Sequence, residues 1–241
     1  MEKSEMIEKD RSSYFAFMKE AEYVRERGLQ MQQAIGYFWH ARLIACKNGW
    51  WEEAVSALCG QMLVAYLQYM ETGNSNLLAM MYADIAAAEA LARKYKVSGY
   101  IRAVLEMRYA QYCCEIDDLP HAYQHSVKSL EYLPEGEQKP EVLGHAGLIE
   151  VLHGLSPKKG LSMLEKASAM IERITFENPE HGLIVKSGNH LRFAAAYAHL
   201  GKSSEFAIHL NAAKKMANVL NKKFKFPHRL RRVQQLQQKN R

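Results

Sequence analysis

The chain has 241 residues, of which 48% are hydrophobic and 24% charged, a globular composition that excludes a low-complexity or disordered polypeptide. Its formal net charge is +6, and its four cysteines, Cys46, Cys59, Cys113 and Cys114, show no framework spacing, so a disulfide-stapled secreted domain is excluded and a reducing, cytoplasmic setting is expected. The opening MEKSEMIEKDR is charged throughout and reads as no signal peptide. The most apolar stretch, Ala54 to Met70, is broken by Ser56, Gln61 and Gln68 and falls short of the roughly 20 apolar residues of a membrane span.

Alanine, leucine, glutamate, lysine and methionine dominate, and strand formers are sparse, so every element is expected to be helical. A first hairpin is predicted from Asp10 to Lys47, turning at Gly28 and ending at Asn48-Gly49. The second helix of this pair carries an apolar stripe at Ala34, Phe38 and Ala41. A second hairpin starts at Trp51 and turns at Thr72-Gly73-Asn74-Ser75, where Asn74 or Ser75 can cap the next helix. That next helix is expected to bury Leu78, Ala83, Ala86, Ala90 and Leu91.

A third hairpin follows Ser98-Gly99, turns at Asp117-Asp118-Leu119-Pro120 and ends at Pro134, before the polar EGEQK. The fourth begins at Pro140 and turns at Gly154-Leu155-Ser156-Pro157. The fifth opens with the cap, proline and acid of Asn178-Pro179-Glu180 and ends near Asn221, and Pro227 starts a last helix.

One beat recurs through the first helices: a small residue, a bulky one three positions on, and a glycine four after that. Its copies, loosely matched, are Ala21/Val24/Gly28, Tyr66/Tyr69/Gly73, Tyr109/Tyr112/Ile116, Gly147/Glu150/Gly154 and Ala194/Tyr197/Gly201, with Tyr66 and Tyr109 large at the small position, Glu150 in place of an aromatic and Ile116 in place of the glycine. Spacings of three and four share one helix face. Small residues recur in the second helices at Ala41, Ala90, Ser129 and Ala167. On these residues, and on the repeat-ending Pro134, the chain resembles the tetratricopeptide repeat proteins over roughly Asp10 to Asn221, with units longer than the usual ~34 residues. The fold expected is all-α: an α-α superhelix, or solenoid, of about five antiparallel helix pairs plus a carboxyl-terminal capping helix. Residues 10–221 would form the repeat domain and 222–241 a basic tail.

The resemblance implies a right-handed superhelix that binds another protein or peptide along the concave face lined by the first helices, and it implies no reaction. Continuing the register places Met18, Glu22 and Arg25 on that face, then Leu63, Leu67 and Met70, then Glu106, Ala110 and Cys113, then Gly144, Leu148 and Leu152, and last Leu191, Ala195 and His199. A mostly aliphatic face suits an amphipathic helix, although apolar stripes at this spacing also serve as core.

The tail, Lys222 to Arg241, holds eight basic residues and no acid, more than the whole chain's net charge, so the rest sums to −2. Lys222, Lys223, Lys225, Arg229, Arg231 and Arg232 interleave with Phe224, Phe226 and His228, a pattern that can grip phosphates and stack on bases. The alternative is a solvated cap buried through Leu230, Val233 and Leu236.

His121 and His125 lie one turn apart near Asp117 and Asp118, but no third metal ligand is evident. His145 and His153 flank Glu150, for which an interior hydrogen-bonded role is expected. Trp39, Trp50 and Trp51 read as packing residues near the first inter-repeat turn. Phosphate loops, nucleophile elbows and paired metal-binding cysteines are lacking. The reading is a non-catalytic cytoplasmic adaptor without cofactor or metal, not a membrane protein, acting as a monomer or homodimer. A nucleic-acid-associated protein working through the tail is the alternative.

Overall fold

Every described element is an α-helix, and the helix starts follow local capping chemistry. The computed structural model describes residues 3–27, 30–133, 138–153 and 156–240. Gly28, Pro134, Glu135 to Glu137, the Gly154-Leu155 part of the fourth turn and Arg241 lie outside them. The described helices are α1 Lys3–Arg27, α2 Met31–Lys47, α3 Trp51–Thr72, α4 Ser75–Lys94, α5 Gly99–Glu115, α6 Leu119–Tyr132, α7 Gln138–His153, α8 Pro157–Arg173, α9 Pro179–His199, α10 Ser203–Phe224 and α11 His228–Lys239.

Four helix starts are capped by the residues that announce them. Asn74 accepts from the Asn76 amide at 3.1 Å, Ser98 from Ile101 at 3.4 Å, Asp118 from His121 at 3.3 Å and Asn178 from Glu180 at 2.9 Å. Each such cap satisfies an otherwise orphaned helix amide. Gly73 and Gly201, both at φ +68°, take the left-handed geometry that closes α3 and follows α9. At the end of α5, where Ile116 replaces the expected glycine, the left-handed residue is Asp117, at φ 61°. Asp tolerates that region better than a β-branched side chain does.

The chain forms two compact units, Met1–Ile116 and Asp117–Arg241, so the division falls inside the third hairpin read from the sequence. In the first unit each of α1 to α4 packs on its successor, and α3 also lies against α1 and α5. In the second unit α7 packs on α6, α8 and α9, while α9 packs on α8, α10 and α11. Odd-numbered first helices are therefore neighbours within each unit, as a helical repeat requires.

Of the small residues, all but Ala90 in the second helices are buried. Ala21, Ala41, Ala167 and Ala194 are fully buried, as is Ser129. Tyr66 and Tyr109 occupy small-residue positions in the beat but are half-buried, and the adjacent Ala65 and Ala110 supply the buried small group. The closest approach is between α7 and α8. A Cβ on Gly147 would lie 2.8 Å from the Gly160 carbonyl oxygen, and one on Gly160 would lie 2.6 Å from the Gly147 carbonyl oxygen.

The buried face of α4 differs from the expected one. Ala83, Ala86 and Ala90 are exposed, Leu78 and Leu91 are half-buried, and Met81, Asp84, Ile85, Ala88 and Ala92 are buried. Alanines occupy both faces of this helix, so apolar periodicity points in more than one direction. The true stripe is interrupted by an acid. The α2 stripe of Ala34, Phe38 and Ala41 is buried throughout. Fully burying a side chain such as Phe38 or Leu58 contributes about 1.5–3 kcal/mol.

Candidate binding faces on the first helices

In the first unit, α1, α3 and α5 enclose a cleft of about 110 Å³. Met18, Glu22 and Arg25 from α1 form one wall, Tyr100, Ile101 and Val104 from α5 form the other, and Phe38 and Cys59 lie beneath with Arg108. Gly60 on α3 makes room for the Phe38 ring beneath the cleft: a Cβ there would overlap that ring, 2.3 Å from its nearest carbon. The space accepts one side chain and is well below the roughly 300 Å³ of a small-molecule pocket.

The floor is polar. Arg108, 9% exposed, donates from Nη1 to Gln111 Oε1 at 2.9 Å. Outside the cleft lining, the buried Asp84 sits with Oδ1 3.6 Å from Arg42 Nη1. Burial pushes the Asp84 carboxyl up to about 6, opposed by Arg42. Burial likewise pushes the Cys59 thiol up to about 12, with Arg108 pulling the other way. A buried thiol held protonated at neutral pH is a poor nucleophile.

The sequence-derived residues fall into three sets. Met18 and Arg25 line the cleft. Leu63, Leu67 and Met70 continue the α3 face beyond Ser56 and Gly60 and are half-buried; Leu67 packs against the cluster of Ala21, Phe38 and Val64. On α5, Glu106 is half-buried, while Ala110 and Cys113 are buried. Those three lie about half a turn from Val104 and Arg108 at 100° per residue, so they are not brought to the cleft.

In the second unit, Leu148 and Leu152 are half-buried, as is Leu191. Leu148 packs on Val151, Leu164 and Phe193, and Leu191 on Leu210, Ala213 and Val233. Ala195 is half-buried and His199 is exposed. Gly144 lies against Asn189 and Arg192. Tyr100, Val104 and Arg108 were missed in the sequence, although their spacing of four is itself a helical-face signal. The register continued through Tyr109 and Tyr112 placed Glu106, Ala110 and Cys113 on the face instead.

The basic tail does not present one surface. Lys222, Lys223 and Lys225 are exposed, with Lys225 left-handed at the end of α10. Phe226, His228 and Val233 are buried and seat α11. Arg229 reaches back to α9, donating from Nη2 to the Ile184 carbonyl at 3.3 Å. Arg232 donates to Gln235 Oε1 at 3.2 Å, and Arg231 is half-buried.

His121 Nδ1 lies 2.7 Å from Asp118 Oδ2, and among the described residues no three His, Cys, Asp or Glu side chains converge as metal ligands. Glu150, 3% exposed, has Lys159 Nζ at 3.6 Å, and that amine donates to the Tyr123 hydroxyl at 2.9 Å. Trp51 stacks on Tyr95 with centroids 4.2 Å apart, Trp50 packs edge-on to Tyr14, and Trp39 is exposed. No described helix is long and apolar enough to cross a membrane.

The fold and these faces define an all-α protein of the helical-repeat kind, with consecutive helices packed pairwise. No protein-family model, curated protein or solved structure matches the chain.

Proposed function

We propose that the chain is a non-catalytic scaffold of the tetratricopeptide type, cytoplasmic, that binds a segment of another protein along its first-helix faces. The observation that carries this is the cleft of α1, α3 and α5. Its walls are Met18, Val104 and Tyr100, its rim carries Glu22 and Arg25, and its volume fits one anchoring side chain. A cleft with apolar wall residues, Glu22 and Arg25 beside them and Arg108 at its floor is a form of site that can take the anchor residue of an amphipathic helix or extended peptide.

Val104→Glu tests the reading because Val104 is a half-buried wall residue. Leu67 is less suitable, since it is not among the residues that line the cleft. Full-length protein and the Val104→Glu variant, each confirmed folded by circular dichroism, are used to capture partners from source-cell extract treated with nuclease. The same partner retained by the parent and lost by the variant is expected. Equal capture by both overturns the cleft reading.

A second reading rests on the exposed lysines Lys222, Lys223 and Lys225, which could contact nucleic-acid phosphates. Phosphate contacts weaken steeply with salt, whereas burial of an apolar anchor does not. Capture that disappears with nuclease, or between roughly 50 and 200 mM salt, assigns the partner to the lysines.

A further inference from the structure

From His181 to Arg241 the chain has thirteen lysines and arginines and one acid, Glu205, so this stretch sums to +12 and everything before it to −6. Charge asymmetry of this size points to an anionic surface as partner. The exposed part of the charge is gathered on one helix. Lys214, Lys215, Lys222 and Lys223 on α10, and Lys225 at its end, are exposed, and none of the five makes an ion pair among the described residues. Glu205 lies toward the other end of α10, with Lys202 Nζ at 3.9 Å.

These lysines share their face with apolar side chains. At about 100° per residue, Lys222, Lys215, Ile208 and Val219 fall within ~60° of one another, with Lys214 and Lys223 to either side. Ile208 is 64% exposed, the most of any large hydrophobic side chain among the described residues, and Val219 is 38% exposed. From Ile208 to Lys225 the strip runs roughly 25 Å along the helix.

Three features choose among anionic occupants. Phe206 and Phe224, the phenylalanines of α10, are half-buried, so the face offers no ring on which a base could stack. Arg192, Arg229, Arg231 and Arg232 are buried or half-buried. The exposed charges are therefore lysines, point charges on flexible stems that suit an array of fluid headgroups better than one fixed phosphate. Ile208 and Val219 have no complement on a nucleic-acid backbone, whereas the acyl boundary of a bilayer takes them.

We infer that the outer face of α10, from Ile208 to Lys225, docks the protein on an anionic phospholipid surface. The lysine stems lie along the interface with their amines among the headgroups, and Ile208 and Val219 reach the acyl boundary. The helix stays packed on α9 and α11 and lies on the bilayer without spanning it. The inference does not rest on the scaffold reading, and it assigns Lys222, Lys223 and Lys225 to lipid rather than to nucleic acid.

Co-sedimentation of the full-length protein with phosphatidylcholine vesicles, with and without roughly one third phosphatidylglycerol, tests it. Binding to the anionic vesicles and not to the neutral ones is expected, weakening between roughly 50 and 500 mM salt as the Debye length shortens. Lys215→Gln/Lys222→Gln should weaken it about tenfold or more, and Ile208→Ser about threefold. Lys128→Gln/Lys166→Gln removes the same charge from exposed positions on α6 and α8 and should bind as the parent does. Should the first double variant fail to fold by circular dichroism, Lys214→Gln/Lys223→Gln carries the same expectation.

No binding, equal binding to neutral vesicles, or equal weakening by the α10 pair and the α6–α8 pair overturns the inference. So does an Ile208→Ser variant that binds like the parent. A short DNA duplex is the last arm. Capture of the duplex but not the vesicles, with the same lysine dependence, gives the face to nucleic acid and also overturns the inference.

Discussion

His190 and His209 face each other across α9 and α10, with their Nδ1 atoms 3.0 Å apart. One Nδ1 must donate and the other accept, so at least one ring is neutral. Phe193 stacks on His209 with centroids 4.4 Å apart. Burial lowers the pKa of His190, and burial followed by the neighbouring His190 lowers that of His209. A lowered folded-state pKa stabilises the protein above the unfolded value near 6.5 and is lost as pH falls through the folded value. Asp84 has the opposite sign. Raised to about 6, it contributes stability at low pH that disappears as pH rises through about 6, on the order of 1–3 kcal/mol.

Thermal unfolding between pH 7.5 and 5 separates these two residue effects. His209→Gln should flatten the loss of Tm on acidification, and Asp84→Asn should steepen it. Parallel curves for all three proteins would contradict both assignments. Neither effect was legible in the sequence. His190 meets His209 across 19 residues of sequence, and Asp84 lay hidden by alanines on both faces of its helix. Arg229 likewise read as a tail charge. Its bond to Ile184, 45 residues away in sequence, follows from tertiary packing that spacing does not encode.

At the scale of elements the sequence was informative wherever chemistry is local. Asn74, Ser98, Asp118 and Asn178 announce their helices because a cap bonds to an amide two or three residues on. Faces were legible only where side chains contrast. The α2 stripe was readable because Phe38 stands among alanines, and the α4 stripe was not.

Helix proximity depends on glycine at the α7–α8 crossing. Gly160→Ala would place a methyl 2.6 Å from the Gly147 carbonyl oxygen and 2.9 Å from the Val151 amide nitrogen. Backbone atoms cannot swing aside, so the helices must part, at a cost of about 1–3 kcal/mol. Gly36→Ala on α2 is the matched control, because nothing lies within 4 Å of its Cβ. Without strain it should stabilise by about 0.4–1 kcal/mol. Urea unfolding of both variants checks the opposite signs, and a neutral Gly160→Ala would refute the close crossing.

For the whole molecule, the two units carry unlike first-helix faces. The first offers a cleft with Arg108 at its floor, and in the second Arg192 lies against Gly144 while Arg229 lies against Gly188. Composition could not show this difference, because both units draw on the same pool of lysine, arginine and leucine. The repeat beat showed the succession of helices but not the break between Ile116 and Asp117. The sequence reading treated the tail as a single basic segment. In the structure Lys222, Lys223 and Lys225 are exposed, while α11 is a seated helix of the second unit.

The central claim is that partners are held by first helices. Hydrogen–deuterium exchange of the full-length protein, alone and saturated with its captured partner, tests it most directly. The scaffold account predicts added protection in α1, α3 and α5 around Met18, Ser56 and Val104, with the exposed faces of α2 and α4 unchanged. Protection confined to Lys222–Phe226, with the cleft helices exchanging as in the free protein, would contradict it.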